Sequence, residues 1–558
     1  MSGFYGDRLS AMREMLEGGQ LDVLTGDYLA ELTMLILGRD RLKDPSLGYA
    51  RTFLRQLEDC LGLALDKGVT IVANAGGLNP AGLAHAVQDL AGRLGLAPKI
   101  GYVTGDDLLP RASDLGFGDP VAANAYLGGW GIAVCLQRGA NVVVTGRVTD
   151  ASLVVGPAAA HFGWEMDDFD ALAGAMAAGH VIECGAQATG GNYAFFSDIP
   201  DLRHPGFPIA EIAADGSSVI TKHPGTGGAV TVGTVTAQLL YEVAGPRYAG
   251  PDATLRLDTV QLRQDGPDRV AITGVHGEPP PPTLKVSLNT LGGYRNQVEF
   301  VLTGLDIEAK AALVRRQLAD ALPPDVEWEL ARTDHADAGT EEQASATLRC
   351  VARGADAKAI GRAFSGAAVE LALASYPGFH LTAPPGDAQP YGVFTAAYLD
   401  RAEVTQIAAL PDGSWTRRIA EPPVTMALEP VPVVDLPSFA GGATVRRVPL
   451  GMVAGARSGD KGGDANVGVW ARAEAAWPWL AATLTEEKLR ELLPEAVGLP
   501  VTRYLLPNLH AVNFVIEGLL GEGVAAAARF DPQAKALGEW LRSRHVDVPA
   551  GLLPGAPR

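Results

Sequence analysis

Cysteine is scarce in this 558-residue chain: Cys60, Cys135, Cys184 and Cys350 stand far apart and form no CxxC pair. That suggests neither a disulfide framework nor a thiolate zinc site, and it fits a reducing compartment. The ten histidines include no HxH, HExxH or HxxxH pair, so an imidazole-based metal site has no support. No apolar run approaches the roughly 18–20 residues that span a bilayer. Residues 1–15 carry Asp7, Arg8, Arg13 and Glu14 and lack the apolar core of a signal peptide. A cytoplasmic protein with no membrane partner is therefore expected. Basic residues are also in deficit: 45 Lys and Arg face 64 Asp and Glu, a formal charge of -19. Nucleic acid is not expected as a partner, and an anionic ligand such as an acyl-coenzyme A would need its own Lys/Arg pocket or helix N-terminus.

What remains is ordinary globular material, 47% hydrophobic and 20% charged, long enough for about three to four domains. Residues 1–195 repeat one grammar, a short β-branched run, a small-residue loop and then a helix. The runs are Leu21–Thr25, Val69–Ala73, Lys99–Val103 and Asn141–Thr145. Continuous apolar strands alternating with helices predict an open parallel α/β sheet with flanking helices. Residues 196–425 read as an α+β domain, with two strands around Gly292-Gly293, a helix over Asp306–Leu322, a strand over Ala344–Arg353 and a helix over Ala357–Ser375. The proline-rich stretch 426–444 reads as a stiff linker. A last domain over 445–548 runs strand, Gly/Asp loop, helix, strand, helix, and a tail covers 549–558.

Open parallel sheets bind ligands at the carboxyl ends of their strands, so the chemistry is sought in those loops. If a helix begins near residue 27, Asp27 and Glu31 share a face of its first turn. They could then act as acid and base, hold a divalent cation or complement the helix dipole. Asn74, Gly76, Gly77 and Asn79 precede another helix, either as an anion cradle or as a plain strand-to-helix turn. Asp106 and Asp107 are catalytic candidates or caps. In Thr145–Ser152, Arg147 offers a donor fork for a carboxylate or phosphate, and Asp150 could hold it or cap the next helix. Neither GxGxxG nor GxxxxGK[ST] occurs in these loops, so no nucleotide motif supports them and no cofactor is evident. Glu183, Cys184, Gln187 and Asn192 share a glycine-rich segment. Glu183 is its acid/base candidate, and Cys184 is either a nucleophile or a small buried thiol. Lys222 and His223 open a Pro-Gly-Thr-Gly-Gly turn that is a binding loop or a hairpin. In the last domain, Ser458, Asp460, Lys461 and Asn466 lie among glycines, a pattern for contact with phosphate or thioester, or for an interface turn.

The stretches GDYLAELTM (26–34), NAGGLNP (74–80), VTGRVTDASL (144–153), ECGAQATGGNY (183–193), KHPGTGG (222–228) and SYPGFHLTAPPGDAQPYG (375–392) resemble acyclic terpene utilisation proteins over about residues 3–430. ARSGDKGGDANVGV (456–469) and PNLHAVNF (507–514) resemble the small ferredoxin-fold domain appended to that family. The resemblance implies bacterial growth on acyclic terpenes, with branched intermediates carried as coenzyme A thioesters. A lyase or hydratase acting on such a thioester would use Asp27, Glu31 or Glu183 to move a proton. Arg147, Asn192 or Lys222 would hold an enolate or alkoxide. The rival reading is a non-catalytic ligand-binding or scaffold subunit. A small-molecule ligand and a homo-oligomer are expected under either reading.

Overall fold

The computed structural model describes residues 1–3, 6–323, 326–432, 434–439 and 444–555, and only the backbone of Leu32. In chain order the first region forms α1 (Ala11–Gly18), β1 (Val23–Gly26), α2 (Glu31–Lys43), α3 (Arg51–Asp66), β2 (Thr70–Ala73), α4 (Pro80–Arg93), β3 (Ile100–Thr104), β4 (Ala122–Ala125), α5 (Trp130–Gln137), β5 (Val142–Thr145), α6 (Ser152–Phe162) and α7 (Phe169–Ile182). β1, β2, β5 and β3 lie side by side and parallel. Ile71, Ala73, Val142 and Val144 pack under α1, α3 and α4, whereas Val72, Val103 and Val143 face the layer of α5. Both faces are covered, which is why the strands read as unbroken apolar runs. Two antiparallel strands, Ile407–Ala409 and Thr416–Arg418, extend the sheet beyond β3, so the sheet is mixed.

β6 (Pro208–Ile212) and β7 (Ser218–Lys222) pair antiparallel in a second sheet, followed by α8 (Val232–Leu239). α7 is buried on every side. Its small residues allow this: a Cβ on Gly174 would lie 2.2 Å from the Gly216 carbonyl oxygen, and one on Gly179 2.8 Å from Ala151 Cα.

The chain divides into two compact units, one of Met1–Asn289, Phe394–Val524 and Asp531–Arg558, the other of Thr290–Val393 and Ala525–Phe530. The two strands expected around Gly292-Gly293 are one strand, Thr283–Thr303. Its residues 286–289 pair with β4, and residues 294–303 pair with Ser345–Gly354. The glycines there serve close approach rather than a turn, since a Cβ on Gly293 would sit 2.7 Å from the Gly354 carbonyl oxygen. The second unit builds on that strand end, with the helix Ile307–Leu318 over the sheet.

The small C-terminal α+β domain has four antiparallel strands in the order Ala454–Lys461, Asp464–Ala471, Ala511–Ile516, Val501–Leu506, with the helices Trp477–Thr483, Glu486–Leu492 and Leu537–Ser543 on its core. The Gly/Asp loop expected over 457–466 is instead a hairpin whose turn is Gly462-Gly463. Of the expected linker 426–444, residues 433 and 440–443 lie outside the described residues, and the rest carries neither helix nor strand. Within the expected tail, 556–558 also lie outside. Among the described residues no helix is long and apolar enough to cross a membrane.

Candidate active site

The loops after β1 and β5 bring Asp27, Glu31, Arg147 and Asp150 together within the larger unit. α2 starts at Glu31 with Ala30 as its cap, so Asp27 precedes the helix and does not share its first turn. Asp27 is held by the strand end instead. Its Oδ1 accepts Asn74 Nδ2 at 2.6 Å and the Leu29 amide at 3.2 Å. Arg147, 4% exposed, donates through Nη1 to Leu29 O and to Asp150 Oδ1, each at 3.1 Å. Its guanidinium lies 4.2 Å from the Tyr126 ring centroid, a contact worth more where water is excluded. Lys285 approaches the same ring at 4.8 Å and pairs with Glu31 at 3.7 Å.

The electrostatics follow from depth. Burial pushes the Asp27 carboxyl up to about 6 and the Asp150 carboxyl up to about 7, against the pull of Arg147, which favours the ionised forms. Glu183 is also raised by burial. Its Oε1 stands 3.4 Å from His180 Nδ1, and Oε2 is buried without a hydrogen-bond partner. The site is not sealed, because the Asp150, Glu31 and Lys285 side chains keep 25–29% of their surface. Burial, then the negative charge of Glu183, push the Cys184 thiol well up, so it stays protonated at neutral pH and is not an activated nucleophile.

The C-terminal hairpin and the segment after α8 supply the other wall. Lys535 Nζ donates to Glu242 at 2.9 Å, to Asp460 at 3.2 Å and to the Tyr241 hydroxyl. Burial, with the charge of Glu242, raises Asp460 to about 6. Burial also works against the Glu242 anion, but Lys535 and hydrogen bonds from Tyr241 and Lys535 outweigh it and hold that carboxyl below its ordinary value. Glu242 adopts φ 55°, a left-handed conformation that costs a non-glycine residue energy and persists where surroundings enforce it. Asn466 does the enforcing, accepting the Glu242 amide at 2.8 Å and donating to Leu240 O at 3.1 Å. The glycines of the hairpin strands make room for this: a Cβ on Gly459 would meet the Tyr241 ring at 2.7 Å and Glu242 Cγ at 2.8 Å. The charges of Glu242 and Glu31 act on both Asp460 and Lys461, and those of Glu242 and Asp150 on Glu183 and Tyr248, which ties the two walls together.

Tyr126, Tyr241, Glu242, Tyr248, Lys285 and Lys535 escape a reading of the sequence. They lie in segments without a motif, and only tertiary pairing assembles them.

Other expected site residues act as braces. Asp106 is 1% exposed; its Oδ2 accepts Asn124 Nδ2 and the Arg147 amide, both at 2.8 Å, so it supports the Arg147 loop from behind. Asp107 pairs with Arg41 at 2.8 Å and accepts the Leu109 amide. Asn74 is consumed by Tyr28 N and Asp27. In the expected anion cradle at 74–79 four amides are already bonded, Asn74 to Gly26 O, Gly77 to Asn74 O, Leu78 to Gly48 O and Asn79 to Gly76 O. Gly76 and Gly77 are close-packing positions beside Thr145 O and Gly48 O, and the Asn79 side chain caps α4 through the Gly82 amide at 2.9 Å. Gln187 and the Asn192 carbonyl accept from Arg457, fixing the hairpin rather than facing the cluster. Ser458 donates to Ala534 O and accepts the Gly538 amide, both inside the C-terminal domain. Among the described residues, no group of three or more His, Cys, Asp or Glu is arranged to hold a metal ion.

A family model described as acyclic terpene utilisation family protein AtuA matches residues 1–410, and one described as the AtuA ferredoxin-like domain matches residues 448–547. The chain belongs to the acyclic terpene utilisation family. Comparison with curated proteins and with solved structures returned no significant match.

Lys222 and His223 lie elsewhere in this family member, on a groove of about 840 Å³ between β1 and the β6–β7 hairpin, lined also by Val154, Pro157, Phe162 and Ile209. Lys222 pairs with Asp268 at 3.1 Å and donates to Thr226 O, and the His223 ring meets Met15 O at 3.0 Å. Both are spent on local structure and are not part of the carboxylate cluster.

Proposed function

We propose that the cluster is the active site of a lyase or hydratase acting on a branched, terpenoid-type acyl chain carried as a coenzyme A thioester. The observation that carries this reading is the pairing of Asp150, a carboxyl at about 7, with the buried Arg147 at 3.1 Å. Hydration, dehydration and carbon-carbon cleavage of a 3-hydroxyacyl thioester each need a group that exchanges a proton near neutral pH. They also need a cation where negative charge develops on the thioester oxygen. Asp150 and Asp27 supply the first and Arg147 the second, with the Tyr126 ring fixing the guanidinium plane. Family membership supports a role in terpene utilisation, and the chemistry rests on the site. Incubation of the purified protein with a panel of branched 3-hydroxyacyl and enoyl thioesters, with products followed by mass, tests the reading. Turnover of at least one member is expected. Tight binding of one thioester without turnover would assign a ligand-binding subunit instead.

A further inference from the structure

Among the described residues four cations face the cluster, and three are matched. Arg147 pairs with Asp150 at 3.1 Å, Lys285 with Glu31 at 3.7 Å, and Lys535 with Glu242 at 2.9 Å and Asp460 at 3.2 Å. Lys461 is left over. Among the described residues its Nζ has no hydrogen bond and no carboxylate within salt-bridge distance, and it stands 5.4 Å from the Tyr248 ring centroid. The backbone fixes it there. Lys461 ends the strand Ala454–Lys461 in register with Asp464. The turn that follows is tight, since a Cβ on Gly462 would meet the Phe394 ring at 3.1 Å and one on Gly463 the Gly521 carbonyl oxygen at 2.3 Å.

An amine held this way is poorly served as an ammonium. Burial penalises its charge and Lys285 adds repulsion, and together these outweigh Glu242, Glu31 and Tyr126, so its affinity for a proton falls below that of an ordinary lysine. A lysine desolvated beside a second cation is the arrangement that frees a lone pair for attack on carbonyl carbon. Lys461 is half-buried, with the Tyr248 ring 5.4 Å from its amine, and the Tyr126 and Phe394 rings lie 4.8 and 5.4 Å from the amine of Lys285.

We propose that Lys461 is a nucleophilic amine that condenses with an aldehyde or ketone at the end of an apolar chain. The Nζ lone pair forms a bond to the carbonyl carbon, and the carbonyl π pair moves to oxygen, which takes up a proton as the nitrogen loses one. The carbinolamine then loses its hydroxyl as water, the nitrogen giving up its second proton, so amine plus carbonyl become imine plus water with no oxidant or reductant. Glu242 and Glu31, the carboxylates whose charges act on Lys461, are the groups available to relay those protons. Imine formation needs no thioester, so this inference and the lyase or hydratase reading fail separately. A carbonyl fragment released by carbon-carbon cleavage is a ligand of the class.

The test is reductive trapping on the full chain. The protein is incubated at pH 7.5 with a branched ten-carbon enal, treated with cyanoborohydride, digested and mapped by mass. The expected result is an adduct on Lys461 formed at least about tenfold faster than on the exposed Lys43 and Lys67. It should be lost in Lys461→Arg with an unchanged melting temperature, and slowed in Lys285→Met, which removes the repelling charge. Labelling of Lys461 no faster than Lys43 and Lys67 would overturn the proposal, as would an equal adduct yield in Lys461→Arg. Should Lys461→Arg fail to fold, the relative labelling rates within the native chain decide alone.

Discussion

Asp106→Asn isolates one buried charge in the floor of the site. The carboxyl is 1% exposed, its Oδ2 accepts two hydrogen bonds and its Oδ1 has none. Burial raises it from 3.8 to about 7. A carboxyl raised on folding contributes stability that is fully present below the unfolded value and is lost as pH rises through the folded one. Between pH 5 and pH 8 the native state must release a proton that the unfolded chain has largely lost already. Two units of the shift lie inside that window, so this group removes about 2–4 kcal/mol of stability from the native protein. Asparagine keeps the oxygen that accepts the Arg147 amide and carries no charge at either pH. Every other titrating group contributes equally to both proteins and cancels. Urea unfolding of native protein and variant at the two pH values, followed by tryptophan fluorescence, should therefore show the variant gaining about 2–4 kcal/mol relative to native on going from pH 5 to pH 8. An equal difference at both pH values, within about 0.5 kcal/mol, would show that Asp106 is ionised throughout and refute the reasoning.

Asn79→Ala removes the α4 cap and should lower stability by about 0.5–2 kcal/mol in urea unfolding, leaving turnover unchanged, because its side chain bonds Gly82, Ser46 and Leu47 rather than the cluster. Gly459→Ala presses a methyl into Tyr241 and Glu242 and should cost about 1–3 kcal/mol; turnover should fall with it, since Glu242 must shift. Arg147→Met keeps the bulk over Tyr126 but removes the charge, and should lower kcat on an accepted thioester by about 10²–10³-fold while changing KM little.

Much of the parallel sheet was legible because its strands are buried on both faces and therefore advertise themselves as β-branched runs. The loops bearing Asp27, Arg147 and Asp150 followed from where such a sheet opens. Residues whose role depends on distant partners were not legible. Asn74–Asn79 looked like bare amides, yet the carbonyls of Gly26 and Gly48, contributed by other segments, already occupy two of them. The glycines within 457–466 looked like a loop, but Gly459 is a strand position emptied of side chain so that Tyr241 and Glu242 can approach. Glu242 has no motif at all; its place is set by Asn466, more than two hundred positions later. The two strands read around Gly292-Gly293 are one strand, Thr283–Thr303, because glycines placed for close approach look like a turn.

The central claim is that Asp150, beside Arg147, exchanges a proton with the ligand. Incorporation of solvent deuterium at the α-carbon of a branched acyl-coenzyme A, read by mass in heavy water, tests it without requiring a completed reaction. Native protein should exchange the α-hydrogen with a rate that rises as pH passes about 7, and Asp150→Asn should abolish it while binding persists. Exchange of equal rate in Asp150→Asn, or none in the native protein with a thioester bound, would contradict the claim.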